Sequence, residues 1–268
     1  MGSTRLWESL DNGDTWNPLS NVFDGSVITA IEVPIHNGDI IYVGTTNGGF
    51  FRGDRIRKGS KKWRWSRNLA GPSSPGRTIT RITTDPSDEK HVFFCVGSIA
   101  ETAGFQEGQF EPLTSVGEGS GTVKDTPSLN LSRGGIRVFD RTGDRGVIGF
   151  DHVYESKDGG RTWDHTGGVL PNLPHNAVLM NQDGLLFAAH DGGVSVRFNG
   201  EWSDLSQGLP RIRVTDLALH ETDKLLFAST YGRGIWRLNI SGLKDALKAQ
   251  VGEEANSKIE PVAAPPTP

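Results

Sequence analysis

Cysteine is almost absent from this chain. Cys95 is the single one among 268 residues, which rules out any intrachain disulfide framework. It sits in the apolar run from His91 to Val96 and reads as a buried, inert thiol rather than a nucleophile. No apolar run approaches the length of a membrane-spanning helix. Neither sign of charge dominates: 28 Lys and Arg against 32 Asp and Glu leave a net charge of −4 and a pI near 6.0. That balance argues against nucleic acid as a general partner. Glycine, by contrast, is plentiful. With 35 Gly and 14 Pro the composition suits short strands joined by tight turns, and 7 Trp and 12 Phe supply bulk for packing sheets face to face.

One eight-residue pattern occurs twice, as Ser9-Leu-Asp11-Asn-Gly13-Asp-Thr15-Trp16 and as Ser156-Lys-Asp158-Gly-Gly160-Arg-Thr162-Trp163. Both copies read S-x-D-x-G-x-T-W, and Glu8 and Glu155 precede them. The chemistry is that of a hairpin turn. Asp11 and Asp158 carry short acceptors for backbone N–H groups, and Gly13 and Gly160 supply positive φ at the reversal. Thr15 and Thr162 restart a strand, and Trp16 and Trp163 are expected to bury a ring that pins the turn. The pattern resembles the Asp-box, or BNR, repeat of β-propellers such as sialidases, xyloglucanases, sortilin-type receptors and photosystem II assembly factors. A turn explains every fixed residue, so these aspartates read as turn locks rather than catalytic or calcium-binding groups.

Further repeats emerge around glycine turns. Ile40 to Phe51 aligns with Leu185 to Val196 and with Leu225 to Trp236, each an apolar strand, a turn and a second strand. An alternating strand precedes each hairpin, at Val27 to Val33, Asn176 to Asn181 and Val214 to His220, with a fourth at Thr78 to Thr84. Tryptophan-bearing strands follow at Lys62 to Leu69, Thr162 to Thr166 and Glu201 to Leu205. The unit is a four-stranded antiparallel blade, and the fold expected is an all-β propeller over residues 1–240, incomplete or part of a larger one. Blades are placed at 27–69, 78–166, 176–206 and 212–240, with 5–19 expected to close the last. Residues 99–153 form an insertion in the second blade, with an extra hairpin at Gly135 to Phe139 and Gly146 to Phe150. Residues 241–268 read as a short helix and a disordered tail. The first residues fall inside a repeat and carry no signal peptide, which favours a piece of a larger, extracytoplasmic chain that has lost its leader.

An antiparallel meander sends alternate turns to opposite faces. The Asp-box turns fall on one face. The other gathers Asn47, the insertion, His190, Asp191, Tyr231 and Arg233, together with Arg77, His175, Arg211 and Arg213 from the blade connections. His190, Asp191, Arg213, Tyr231 and Arg233 are the candidate binding residues.

Catalytic candidates are weaker. A sialidase-like site needs an arginine cluster and a Tyr–Glu pair; the Arg-Ile-Pro signature is missing, and Tyr42 and Tyr154 sit inside strand patterns. A xyloglucanase-like hydrolase needs two facing carboxylates, for which Asp191 and Asp216 are the candidates. Seven basic residues between Arg55 and Arg67 interleave with Trp63 and Trp65, an alternation read as rings inward and charges outward. Asp140 to Gly146, with Asp151, lacks the glycine and terminal glutamate of a calcium loop, and Gly117 to Thr122 lacks the lysine of a phosphate loop. No cofactor or metal is therefore expected. The leading expectation is a non-catalytic module that binds a protein or a carbohydrate; the alternative is a glycoside hydrolase or a fragment of one.

Overall fold

The structure is a computed structural model that describes residues 3–68, 77–97, 152–166 and 170–249, plus the backbone of three strands within 128–148. The calcium-loop and phosphate-loop segments considered above lie outside the described side chains, as does the tail beyond residue 249.

The chain opens with the hairpin β1 (Trp7–Glu8) and β2 (Asn17–Pro18). A four-stranded antiparallel sheet follows, β3 (Ile28–Glu32), β4 (Ile40–Thr45), β5 (Phe50–Arg55) and β6 (Trp63–Asn68). The second sheet starts with β7 (Ile79–Asp85) and β8 (Asp88–Val96). Before it resumes, β9 (Ser128–Asn130), β10 (Gly135–Phe139) and β11 (Arg145–Ile148) form a separate three-stranded sheet. β12 (Val153–Ser156) and β13 (Asp164–His165) then complete the order β13-β12-β8-β7. The third sheet is β14 (His175–Met180), β15 (Leu186–His190), β16 (Gly193–Phe198) and β17 (Glu201–Asp204). The last has three strands, β18 (Val214–His220), β19 (Leu225–Thr230) and β20 (Gly234–Asn239), and is followed by a one-helix cap at 243–249. This is a β-propeller built of antiparallel blades.

Each blade buries its apolar faces against its neighbours. Tyr42, Phe50, Phe94 and Tyr154 lie between the first and second blades. Phe93, Cys95, Val153 and Val178 lie between the second and third. Phe187, Val194, Leu217 and Leu226 lie between the third and fourth, where Leu247 of the terminal helix joins them. Cys95 is fully buried, and desolvation pushes its thiol up to about 12, so it is inert as a nucleophile. Trp63 and Trp65 pack inward against Leu6, Ile41 and Phe51, with Arg55 over the Trp63 ring at 4.4 Å.

A bulge repeats at the start of every first strand. The register skips Thr29, Thr80, Asn176 and Thr215 at the same place in the four sheets. Three of these side chains then reach the next blade. Thr29 Oγ1 donates to the Ile79 carbonyl at 2.5 Å, Thr80 Oγ1 to the His175 carbonyl at 2.7 Å, and Asn176 Nδ2 to the Val214 carbonyl at 2.8 Å. The acceptor is in each case the residue just before the following bulge. Thr215 has no such neighbour and turns back onto Ser229 of its own sheet.

Two expectations need correction. Residues 5–19 do not close the last blade: among the described residues β1 pairs with β2 alone, the hairpin packs Leu6 and Leu19 against the first blade, and the outer edge of β20 has no strand beside it. Trp16 is not buried either; it stands 59% exposed. Trp163 packs edge-on to Phe50 of the preceding blade at 4.7 Å and to Phe94 at 4.6 Å, whereas no described blade precedes Trp16. For the same reason a Cβ on Gly160 would lie 2.5 Å from Phe50, while Gly13 has nothing nearer than the Trp16 ring at 4.0 Å.

The two motif tryptophans therefore differ in weight. Trp163→Ala is expected to destabilise the fold by about 3 kcal/mol, and Trp16→Ala by less than about 0.5 kcal/mol, read from urea midpoints of the two variants.

Candidate functional site

Four hydrogen bonds define one face of the propeller. The N–H of Thr46, Gly97, Asp191 and Tyr231 donates to the carbonyl of Val27, Thr78, Pro174 and Arg213, at 2.9, 3.0, 3.2 and 3.0 Å. Each ties the exit of a second strand to the entry of that blade's first strand. On this upper face the chain also leaves β8 and returns at β12.

Just beneath it three histidines stack. His152 lies parallel to His175 at 4.8 Å, and His175 is tilted against His190 at 5.2 Å. Their positions follow from topology, since residues 152, 175 and 190 all mark upper strand ends in adjacent blades. The hydrogen bonds set two of the tautomers. A carbonyl can only accept, so His175 Nδ1 donates to Leu173 O at 2.8 Å, and its Nε2 carries a lone pair. That Nε2 is buried and has no partner among the described residues. His190 Nδ1 accepts from the Gly192 N–H at 3.1 Å, so Nε2 donates to Ser195 Oγ at 3.2 Å. His152 Nε2 lies 3.1 Å from Asn172 Oδ1, and Arg77 reaches the Tyr154 hydroxyl at 3.1 Å. Burial, above all, lowers His152 and His190 to about 4, and it holds His175 well below the usual imidazole value. At neutral pH the stack is uncharged. It forms a buried polar floor under the face.

His190 and Asp191 are neighbours in sequence but part company here. Asp191 turns outward and takes a two-pronged ion pair from Arg213, Nε and Nη2 each at 2.8 Å, plus a bond from Asn176 Nδ2 at 3.0 Å. Tyr231 follows on the last blade and is strongly exposed beside Arg213. Arg233 is exposed two residues further on, and its carbonyl accepts from Trp236 Nε1 at 3.1 Å. Asp216 does not join Asp191. It pairs with Arg81 of the second blade at 3.3 Å and accepts from the Leu217 N–H at 2.9 Å. The structure thus brings His175 and His190 together, joins Asp191 to Arg213, and leaves Asp216 apart, on Arg81. The sequence reading missed His152, Asn172 and Asn176. Aligning the blades on their strand ends, rather than on their turns, would have shown His152 level with His175 and His190.

The Asp-box face is occupied by its own turns. Both copies share one bond set: the Ser9 and Ser156 hydroxyls donate to Asp11 and Asp158 at 2.8 Å, and the Gly13 and Gly160 N–H groups donate to those hydroxyls at 2.7 and 2.8 Å. The amides of Thr15 and Thr162 donate to the same carboxylates at 2.8 and 2.9 Å. The Thr15 hydroxyl and amide hold Asp11 down at about 2; for Asp158 the Thr162 amide and hydroxyl outweigh the opposing effect of desolvation, again to about 2. Such carboxylates cannot deliver a proton near neutral pH. Nearby, His91 bridges Glu155 at 2.8 Å and Asp85 at 3.1 Å, and the Glu155 bond raises its pKa.

A groove of about 230 Å³ opens elsewhere, beside β20, lined mainly by Val194, Leu205, Leu209, Leu226, Trp236 and Leu238. It lacks acids and histidines, so it offers packing rather than chemistry.

The fold and the paired faces define a β-propeller in which two hairpin turns share the S-x-D-x-G-x-T-W pattern. No protein-family model matches the sequence, and no curated protein matches it. Among solved structures it is similar to an ancestral GH74 enzyme, at TM-score 0.51 and 17% identity over 85% of this chain and 25% of that one. It is similar to the GH74 enzyme of Niastella koreensis at TM-score 0.52 and 14% identity, over 86% of this chain and 31% of that one. It is also similar to YCF48 bound to a D1 peptide, at TM-score 0.50 and 13% identity, over 88% of this chain and 59% of that one. The likeness is one of fold, and the chain spans less than two thirds of each of these proteins.

The histidine floor makes a pH prediction. Three rings whose folded pKa values lie below the unfolded value of about 6.5 stabilise the fold fully above that pH and lose the contribution as pH falls toward about 4. His91, with a raised pKa, acts oppositely, stabilising below about 6.5 and weakening as pH rises through its folded value. Urea midpoints should therefore drop between neutral and mildly acidic pH, and the drop should shrink in His190→Gln.

Proposed function

We propose that the chain is a non-catalytic binding and assembly module that takes a protein segment or a glycan on its upper face. The observation that carries this reading is the arrangement on the last two blades. Tyr231 is exposed beside the Arg213 guanidinium, and Arg211 and Arg233 stand exposed nearby. An aromatic ring with adjacent cations suits carboxylate-bearing peptides and stacked sugars alike. Asp191 serves this arrangement by holding Arg213 in place through both of its oxygens. The peptide in the YCF48 complex supports a peptide ligand on a propeller of this kind.

Glycan hydrolysis is the second reading, favoured by the two GH74 neighbours, and it would use Asp191 and Asp216. Retaining and inverting glycosidases both need one carboxyl free to donate a proton. Here each candidate is already engaged by an arginine.

A glycan array, a peptide array and an oligosaccharide-hydrolysis assay on the intact protein separate the two. The expected result is binding without turnover, weakened at least about tenfold by Tyr231→Ala. Release of reducing sugar that disappears in Asp191→Asn would overturn the binding-module reading.

A further inference from the structure

The lower face of the propeller, opposite the histidine floor, is built from the turns that join first to second strands and third to fourth strands. On the first blade the second of these turns, residues 56–62, is a basic hairpin tip. Arg57, Lys58, Lys61 and Lys62 are all exposed there. The acids on either side are already engaged within the sheet, Asp54 by Arg52 at 2.7 Å and Asp39 by Arg55 at 2.8 Å. The four tip cations therefore have no acidic partner among the described residues. In a chain of net charge −4 this concentration of positive charge is local.

Apolar side chains stand on the same face. Ile35, in the turn between β3 and β4, is 74% exposed, Leu10, in the first motif turn, is 66%, and Ile56, at the base of the basic tip, is 47%. This exposure does not come from an uncovered joint between blades. The second motif has Lys157 at the position of Leu10, and its side chain is 79% exposed with a blade on each side. The turn that holds Ile35 carries exposed Ser87, Asp183 and Asp223 in the other three blades. These turn positions face solvent throughout the fold, and the first hairpin and first blade fill them with Leu and Ile. The two turns of the first blade also share one edge, since Arg55 N–H bonds Asp39 O at 2.9 Å.

We propose that this side of the lower face docks the protein on an anionic phospholipid surface. Ile35, Ile56 and Leu10 enter the headgroup region, and the four tip cations rest on lipid phosphates. Two features select lipid over a soluble polyanion. Aliphatic side chains at three separate turns gain from an apolar layer and would gain nothing from a sulfated sugar or a nucleic acid. The rings that could stack on sugars or bases, Trp63 and Trp65, are packed inward against Leu6, Ile41 and Phe51. The later blades carry acids in their lower turns, exposed at Asp183, Glu201 and Asp223, so the contact is confined to the edge at the first blade. Docking there points the upper face, with Tyr231 and Arg213, away from the lipid.

Co-sedimentation of the full chain with vesicles tests this, comparing phosphatidylcholine alone with phosphatidylcholine mixed with phosphatidylglycerol. The expected result is binding to the mixed vesicles only, falling as salt is raised. Lys58→Gln combined with Lys61→Gln should weaken it about thirtyfold, and Ile35→Asn at least about fivefold. All three positions are exposed, and unchanged urea midpoints will show that the variants fold. A polarity-sensitive fluorophore gives the orientation. Attached to Ile35→Cys it should shift to the blue on mixed vesicles; attached to Asn47→Cys, in the upper turn of the same blade, it should not, and buried Cys95 does not compete. Retention on heparin without vesicle binding assigns the basic tip to a soluble polyanion and overturns the proposal. Binding indifferent to Ile35→Asn, or a blue shift at Asn47→Cys instead of Ile35→Cys, overturns it as well.

Discussion

A β-sheet has two faces, and each blade of this protein depends on a neighbour to cover one of them. The joint that does so combines a directional bond with an apolar contact. The side chain at the bulge donates to the next blade's first strand, and the residue opposite on the third strand is sealed by the next blade's ring or aliphatic group. The hydrogen bond fixes the angle at which blades meet, because a short donor such as Thr or Asn reaches a single carbonyl of the next blade. The apolar contact supplies most of the stabilisation through buried area. Stability in such an array is nearly local: each blade is held by its two neighbours and by little else.

The same joint explains how the upper face is built. First strands stand side by side near the axis, so their entries and the adjoining turns crowd onto one surface. Polar groups brought together there either sink between blades or stay in water. His152, His175 and His190 sink and become a neutral stack. Asp191 and Arg213 remain at the rim and hold each other in place. A single step, His190-Asp191, supplies one residue to each fate, because His190 ends β15 while Asp191 opens the turn beyond it.

Much of the fold was legible in the sequence because hairpins advertise themselves locally. Gly13 and Gly160, with Asp11 and Asp158, specify their turns within eight residues, and the hairpins at Ile40, Leu185 and Leu225 repeat one apolar-turn-apolar signature. What depends on the rest of the ring was not legible. Whether Trp16 is buried is decided by a blade that no residue near Trp16 encodes, and the closure expected of residues 5–19 failed for the same reason. The bulges were also hidden, since Thr29, Thr80, Asn176 and Thr215 look like ordinary strand residues until their registers are compared. In the candidate site, Asp191 and His190 were visible as turn chemistry. His152 was not, because it follows a long insertion and no short-range pattern ties it to His175.

The second blade makes that insertion without loosening its own sheet. The chain leaves after Val96 and re-enters at His152, and those two residues are already joined, Val96 N–H to His152 O at 3.0 Å. The ends of the inserted segment are therefore held at the separation of an ordinary hairpin turn. Loop-closure entropy grows only with the logarithm of length, about 0.6 kcal/mol for each doubling. Selection can lengthen, shorten or exchange what is carried there while the core residues Val92, Phe94 and Tyr154 stay unchanged. The second blade is in effect a socket, a place where new recognition surface can be installed on the propeller with little penalty to its folding.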